Sequence, residues 1–152
     1  MDAGEWQAAG KHLYCLQDDV LAMKTRGALD LAEAQWVMAT AEALVQKNGY
    51  SLLVGDVSAG VSIPPEVRRW IGEWHKSHPQ AASEGSAIVY GANPVVSTLL
   101  RLINSGVRLL GISNGDLMFA RSEADAWALV AQRRKLWRER VLARGAAAAR
   151  PR

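Results

Sequence analysis

One cysteine, one phenylalanine, three histidines and five prolines are spread over 152 residues, and no apolar run approaches the roughly 20 residues that a membrane-spanning helix needs. Each scarcity excludes something. Lone Cys15 cannot form an internal disulfide or join a thiolate metal cluster, which leaves it as a small buried hydrophobe within a strand. His75 and His78 have a spacing a metal could use, yet no further ligands gather around them in sequence; a helix end with histidines turned to the last carbonyls is the better reading. No metal and no cofactor are expected. The opening "MDAGEWQAAGK" has neither the basic nor the apolar region of a secretory leader, so a soluble, cytoplasmic protein is expected.

What is present is ordinary in total and uneven in distribution. A hydrophobic content of 49% at this length suits one globular domain. The net charge of +3 conceals an asymmetry: residues 133–152 hold eight Arg or Lys against one acid, and residues 1–132 hold ten against fourteen. The basic balance therefore comes from the C-terminal end, and a globally basic surface for nucleic acid is not implied.

Along the chain, "HLYCLQDDVLAMK" reads as a hairpin, Leu13 to Leu16 and Val20 to Lys24 around Asp18-Asp19. Leu31, Ala34, Met38, Ala41 and Val45 then recur at helical spacing, opened by Asp30 with Glu33 as a capping box and closed by Asn48-Gly49. "YSLLVGDV" and "SAIVYG" suit strands buried on both faces. A second helix begins at Pro64-Pro65, with Pro79 beyond its end, and a third begins with Asn93 as N-cap and Pro94 first, interrupted at Ser105-Gly106. Residues 107–113 read as helix or strand, with helix preferred; "DLMFA" is the last strand, and Ser122 caps a final helix. Strands alternating with helices after a hairpin predict a layered α/β domain with four helices, its later strands largely parallel. Residues 1–10 read as an N-terminal extension, 11–143 as the single domain and 144–152 as a disordered basic tail.

This order, with "DLAEAQ" opening the first helix, "LLVGDVS" as the next strand and a late "FARSEADAWALV", resembles the STAS-like domains over roughly Leu13 to Arg134. That group contains anti-sigma-factor antagonists and sulfate-transporter tails, with a related SEC14-like lipid-binding branch. The resemblance implies a mixed four- to five-stranded sheet with helices mostly on one side, and a domain that acts by docking to other proteins. It also implies a phosphorylated serine where the strand's loop meets the next helix. Here that helix opens with "IPPE", and neither Ser58 nor Ser62 matches the position, so a kinase-controlled switch does not carry over.

The candidate site is the proline-bearing loop. Asp56, Ser58, Val61, Ser62 and Ile63, with Arg68 and Arg69 on the helix after it, form the expected partner-docking surface. Helix starts at Pro64 and Asn93 lie where open α/β sheets bind ligands, but a proline there removes N–H donors an anion would use. Asp56 and Glu66 could be imagined as an acid–base pair; the strand-end acid is better read as satisfying loop amides. "GISNG" fits the G-x-S-x-G elbow around Ser113 only formally, since it leads into a strand and every histidine precedes it. No catalytic residues are assigned.

Of the six tryptophans, Trp70 and Trp74 fall on an apolar stripe, whereas Trp36 lies off its helix's stripe. Trp36 and Trp137 are the candidates for a partner or homodimer interface, with packing at the sheet edge as the equal alternative. The basic final helix around Arg133, Arg134, Lys135, Arg138 and Arg140 is read first as a solvated helix end, with an acidic partner, nucleic acid or anionic surface second. The leading expectation is a non-enzymatic regulatory or scaffold domain working by protein docking. The alternative is a binder of a small lipid or anion of the SEC14-like kind, which needs a cavity of a few hundred cubic ångströms.

Overall fold

The computed structural model describes residues 5–109 and 116–148. In chain order the elements are β1 (Gln7–Ala9), β2 (His12–Gln17), β3 (Val20–Lys24), β4 (Gly27–Ala28), α1 (Leu31–Asn48), β5 (Ser51–Asp56), β6 (Val61–Ser62), α2 (Pro65–Ser77), α3 (Pro79–Ser83), β7 (Gly85–Tyr90), α4 (Pro94–Leu109), β8 (Asp116–Phe119) and α5 (Glu123–Ala148). Six strands form a mixed sheet in the order β1-β2-β3-β5-β7-β8, antiparallel through β3 and parallel from there on. The α/β class and the hairpin expected from the sequence are therefore present.

Register explains how the core divides. Cys15, Ala22, Val54, Ile88 and Met118 fall in one cross-strand row, and in-register neighbours share a face. That face packs under α5 through Ala126, Val130 and Trp137. The opposite face presents Tyr14, Leu21 and Leu53 to Val37 and Leu44 of α1. α2 lies against α1 through Val67, Ile71, Leu29 and Ala34, and α4 meets Val89, Leu117 and Phe119 through Val96 and Leu100.

The start of α1 is held by more than its own cap. Asp30 Oδ1 accepts the Glu33 N–H at 2.8 Å, and Glu33 Oε2 accepts the Asp30 N–H at 2.8 Å, which is the capping box read from the sequence. Glu33 Oε2 also lies 3.0 Å from Nε2 of His12, which is fully buried. Nδ1 of that ring accepts the Arg26 N–H at 2.9 Å, so the proton sits on Nε2 and is donated to Glu33. Replacing His12 with alanine removes a donor from a buried carboxylate and an acceptor from a backbone amide. A loss of about 2–3 kcal/mol follows, read as a lower urea midpoint with unchanged slope.

Several boundaries differ from the sequence reading, each for a local reason. Residues 7–9 belong to the sheet as edge strand β1, paired with β2 across a tight turn; "QAA" has no alternation to announce it. Among the described residues the sheet accordingly has six strands instead of four or five, and there are five helices instead of four. Pro79 lies beyond the end of α2 at Ser77, as read from the sequence, and also opens the short helix α3, as proline at a first helical position can. Ser105-Gly106 does not interrupt α4, since one glycine weakens a helix without ending it. α5 continues to Ala148, so residues 144–148 are helical and not tail, in keeping with the high helix propensity of alanine. Residues 107–109 are helical; the rest of 107–113, including Ser113, and residues 149–152 lie outside the described residues.

Candidate functional site

The loop after β5 is built into the fold on both sides. Thr25, buried between strands, places its hydroxyl 3.1 Å from the Asp56 carbonyl and 3.0 Å from that of Gly60. β6 pairs in parallel with β4, and the Leu29 N–H donates to the Ser62 carbonyl at 2.9 Å. The Val57 N–H donates to the Tyr90 carbonyl at 3.0 Å, tying the loop's first residue to β7. Asp56 Oδ1 accepts the Ser58 N–H at 2.9 Å, the role the sequence suggested for a strand-end acid. Gly91 has φ +74°, and a β-carbon built there would come within 2.8 Å of Ser58 Cβ. Alanine at Gly91 therefore displaces the loop as well as straining its own backbone, visible as shifted amide resonances at residues 57–60.

This end of the domain gathers most of the predicted residues but not all in the predicted sense. Ser58, Ser62, Arg68 and Arg69 are exposed, and Asp56 is half-buried. Val61 joins the apolar cluster of Val57, Val89 and Val96, and Ile63 joins that of Val67 and Ile71. Both are partly buried, so a change at either reports on packing as well as on any contact the loop makes. Val95, 77% exposed at the first turn of α4, extends the surface past the loop and was not singled out in the sequence. Among the described residues, Arg68 and Arg69 form no ion pair.

The two tryptophans part company. Trp36 is 43% exposed and meets Tyr14 of β2 edge-on at 4.5 Å, away from the loop. Trp137 is 2% exposed, stacked on Tyr50, with its indole N–H donated to Ser86 Oγ at 3.0 Å. Its assignment as an interface residue is corrected. At position 137 the helix turns its ring toward the sheet, and no surface of this chain displays it.

The basic helix also changes meaning. Arg134 grips Asp19 with Nε at 3.0 and 2.8 Å and a terminal nitrogen at 2.6 Å; Arg133 pairs with Asp116 at 3.1 Å and Arg144 with Glu84. Arg140 lies over the Trp137 ring at 4.8 Å. Much of the positive charge is thus spent within the chain, which weakens any reading of α5 as a nucleic-acid surface. His75 and His78 turn Nδ1 to the carbonyls of Ile71 and Trp74 at 2.7 and 3.0 Å, as the helix-end reading expects. Among the described residues no three His, Cys, Asp or Glu side chains converge to hold a metal.

A second feature escaped sequence reasoning: a groove of about 800 Å³ between the first half of α5 and the β2–β3 hairpin. Trp6, Cys15, Ala22 and Trp127 line it. It meets the size that a small-ligand domain requires. Only Trp6, a large aromatic in a stretch otherwise read as an extension, hinted at it.

No family model matches the chain, and no curated protein matches it in sequence. Among solved structures it is similar to the anti-sigma factor antagonist SpoIIAA in its unphosphorylated form. The two are 12% identical, with a TM-score of 0.49 over 83% of this chain and 97% of that one.

Proposed function

We propose that this chain is a non-enzymatic docking domain, regulatory or scaffolding in role, that engages another protein through the 57–65 loop, the exposed arginines of α2 and the first turn of α4. The observation that carries the reading is the loop's preorganisation. Its backbone is hydrogen-bonded to Thr25, to the β4 segment and to Tyr90 of β7, while Ser58, Ser62, Arg68 and Arg69 are exposed. A surface already ordered before contact loses little conformational entropy on binding. Two arginines with no ion pair among the described residues, together with Val95 exposed at the start of α4, favour a partner face that is acidic around an apolar centre.

Charge reversal tests this directly. In affinity capture, Arg68→Glu with Arg69→Glu is expected to lose partners that the unaltered chain retains, with an unchanged thermal midpoint because both side chains are exposed. A Trp36→Ala chain serves as the comparison. Retention of every partner by the doubly reversed chain, with loss in the Trp36 variant, would move the docking surface to the hairpin side of α1.

A further inference from the structure

The groove beside α5 has a polar end that sets the kind of molecule it suits. Lys24, Asp56 and Tyr90 are in-register neighbours across β3, β5 and β7, so they form one row on the α5 face of the sheet, at the carboxyl ends of parallel strands. Glu123, first residue of α5, lines the groove and lies close enough to Tyr90 to act on it. The Tyr90 hydroxyl is pushed above its ordinary range by burial first, then by the charges of Asp56 and Glu123 and a hydrogen bond to Asp56. Glu123 thus carries its charge into the groove itself, and Asp56 stands in the strand row beyond the groove's end.

Neither carboxylate is neutralised. Lys24 sends its ammonium to the face of Trp6, 4.6 Å from the ring centre. Among the described residues no cation lies within 4.0 Å of a carboxylate oxygen of Asp56 or Glu123. Two acids in the first turn of α5, Glu123 and Asp125, also outweigh the half-positive charge of the helix start. Apart from Gln17 the remaining walls are apolar and small: Cys15, Ala22, Ala124, Ala128 and Ala131 leave the space open, and two indoles supply flat surfaces. Among the described residues no cation covers the Trp127 ring.

We propose that this groove binds a small organic cation with an apolar body, an aromatic or alkyl amine, its body against Trp127 and its ammonium toward Glu123. Aromatic faces joined to unpaired carboxylates attract such a cation by both charge and ring quadrupole. An anion of the same shape meets the Glu123 carboxylate and binds more weakly.

Phenethylamine and hydrocinnamate share a body and differ in the sign of the head group, so they make the test. Titrated into the full chain and followed by calorimetry and by the indole N–H resonances, phenethylamine is expected to bind at least about tenfold more tightly than hydrocinnamate, with the Trp6 and Trp127 signals moving. Glu123→Gln should weaken the amine about three- to tenfold and erase the preference for it. Ala128→Trp should fill the groove and abolish binding; both positions are exposed, so thermal midpoints should stay put. Equal binding of the two probes, no binding of the amine, or amine binding untouched by Ala128→Trp would overturn the proposal.

Discussion

Alanine in place of Asp19 is expected to lower the stability of the folded chain by about 3–5 kcal/mol, because it strands an arginine and a tyrosine that now share one buried carboxylate. Asp19 is 3% exposed. It accepts the Tyr50 hydroxyl at 2.6 Å as well as the two-pronged contact from Arg134, and Arg138 adds a longer bond to Tyr50 at 3.3 Å. The turn of the hairpin, the start of β5 and the middle of α5 are thereby joined at one point. Denaturant midpoints measure the loss. The double variant Asp19→Ala with Arg134→Ala should lose less than the sum of the two singles, since the second change removes a charge already orphaned by the first.

The same carboxylate gives a pH signature. Burial alone would raise the Asp19 pKa, but hydrogen bonds from Arg134 and Tyr50 and the arginine charge together hold it below the usual value. A lowered folded value means that the contribution is complete above the unfolded pKa of about 3.9 and is lost as pH falls through the folded one. The stability gap between the native chain and Asp19→Asn should therefore be constant from neutrality to about pH 5 and shrink in more acid solution. A gap that widened toward low pH would show that the contact does not favour the ionised form.

Trp137 gives the second large effect. Alanine there should cost about 3–5 kcal/mol, through a cavity under α5, the lost stack on Tyr50 at 6.3 Å and the lost donor to the buried Ser86 hydroxyl. Phenylalanine restores most of the volume and none of the hydrogen bond, so it should recover a large part of the loss but not all. An interface tryptophan would behave oppositely: association would weaken and the denaturant midpoint would hold. Measuring both quantities on Trp137→Ala and on Trp36→Ala separates a core residue from a surface one.

Trp36 and Trp137 also show where sequence reasoning stops. Each sits on a helix with no sharp apolar stripe at its position, so periodicity assigns them equally to surface or sheet edge. The angle at which α5 crosses β5 and β7 decides that Trp137 points inward. The arginines behave alike: Arg134 meets an acid 115 residues away and Arg144 one 60 residues away, separations at which nothing local signals a partner. The exposure of Ser58, Ser62, Arg68 and Arg69 was legible because a turn-rich connection ahead of a helix is normally outside. The partial burial of Val61 and Ile63 was not legible, because the two-residue pairing of β6 with β4 sets them against neighbouring clusters.

By itself the sequence determined the features whose causes lie within a few residues. These are the Asp30–Glu33 cap, the left-handed Gly49 that ends α1, the hairpin about Asp18-Asp19, and the apolar runs that become β5 and β7. Caps, turns and apolar periods act over one or two helical turns, so they survive without knowledge of the rest of the chain. The tertiary structure alone decided the edge strand β1, the fastening of the loop to β4, the Asp19 clamp and the groove beside Trp127. Each depends on the register in which distant segments meet, and register is set by the collective burial of the core and not by any local motif.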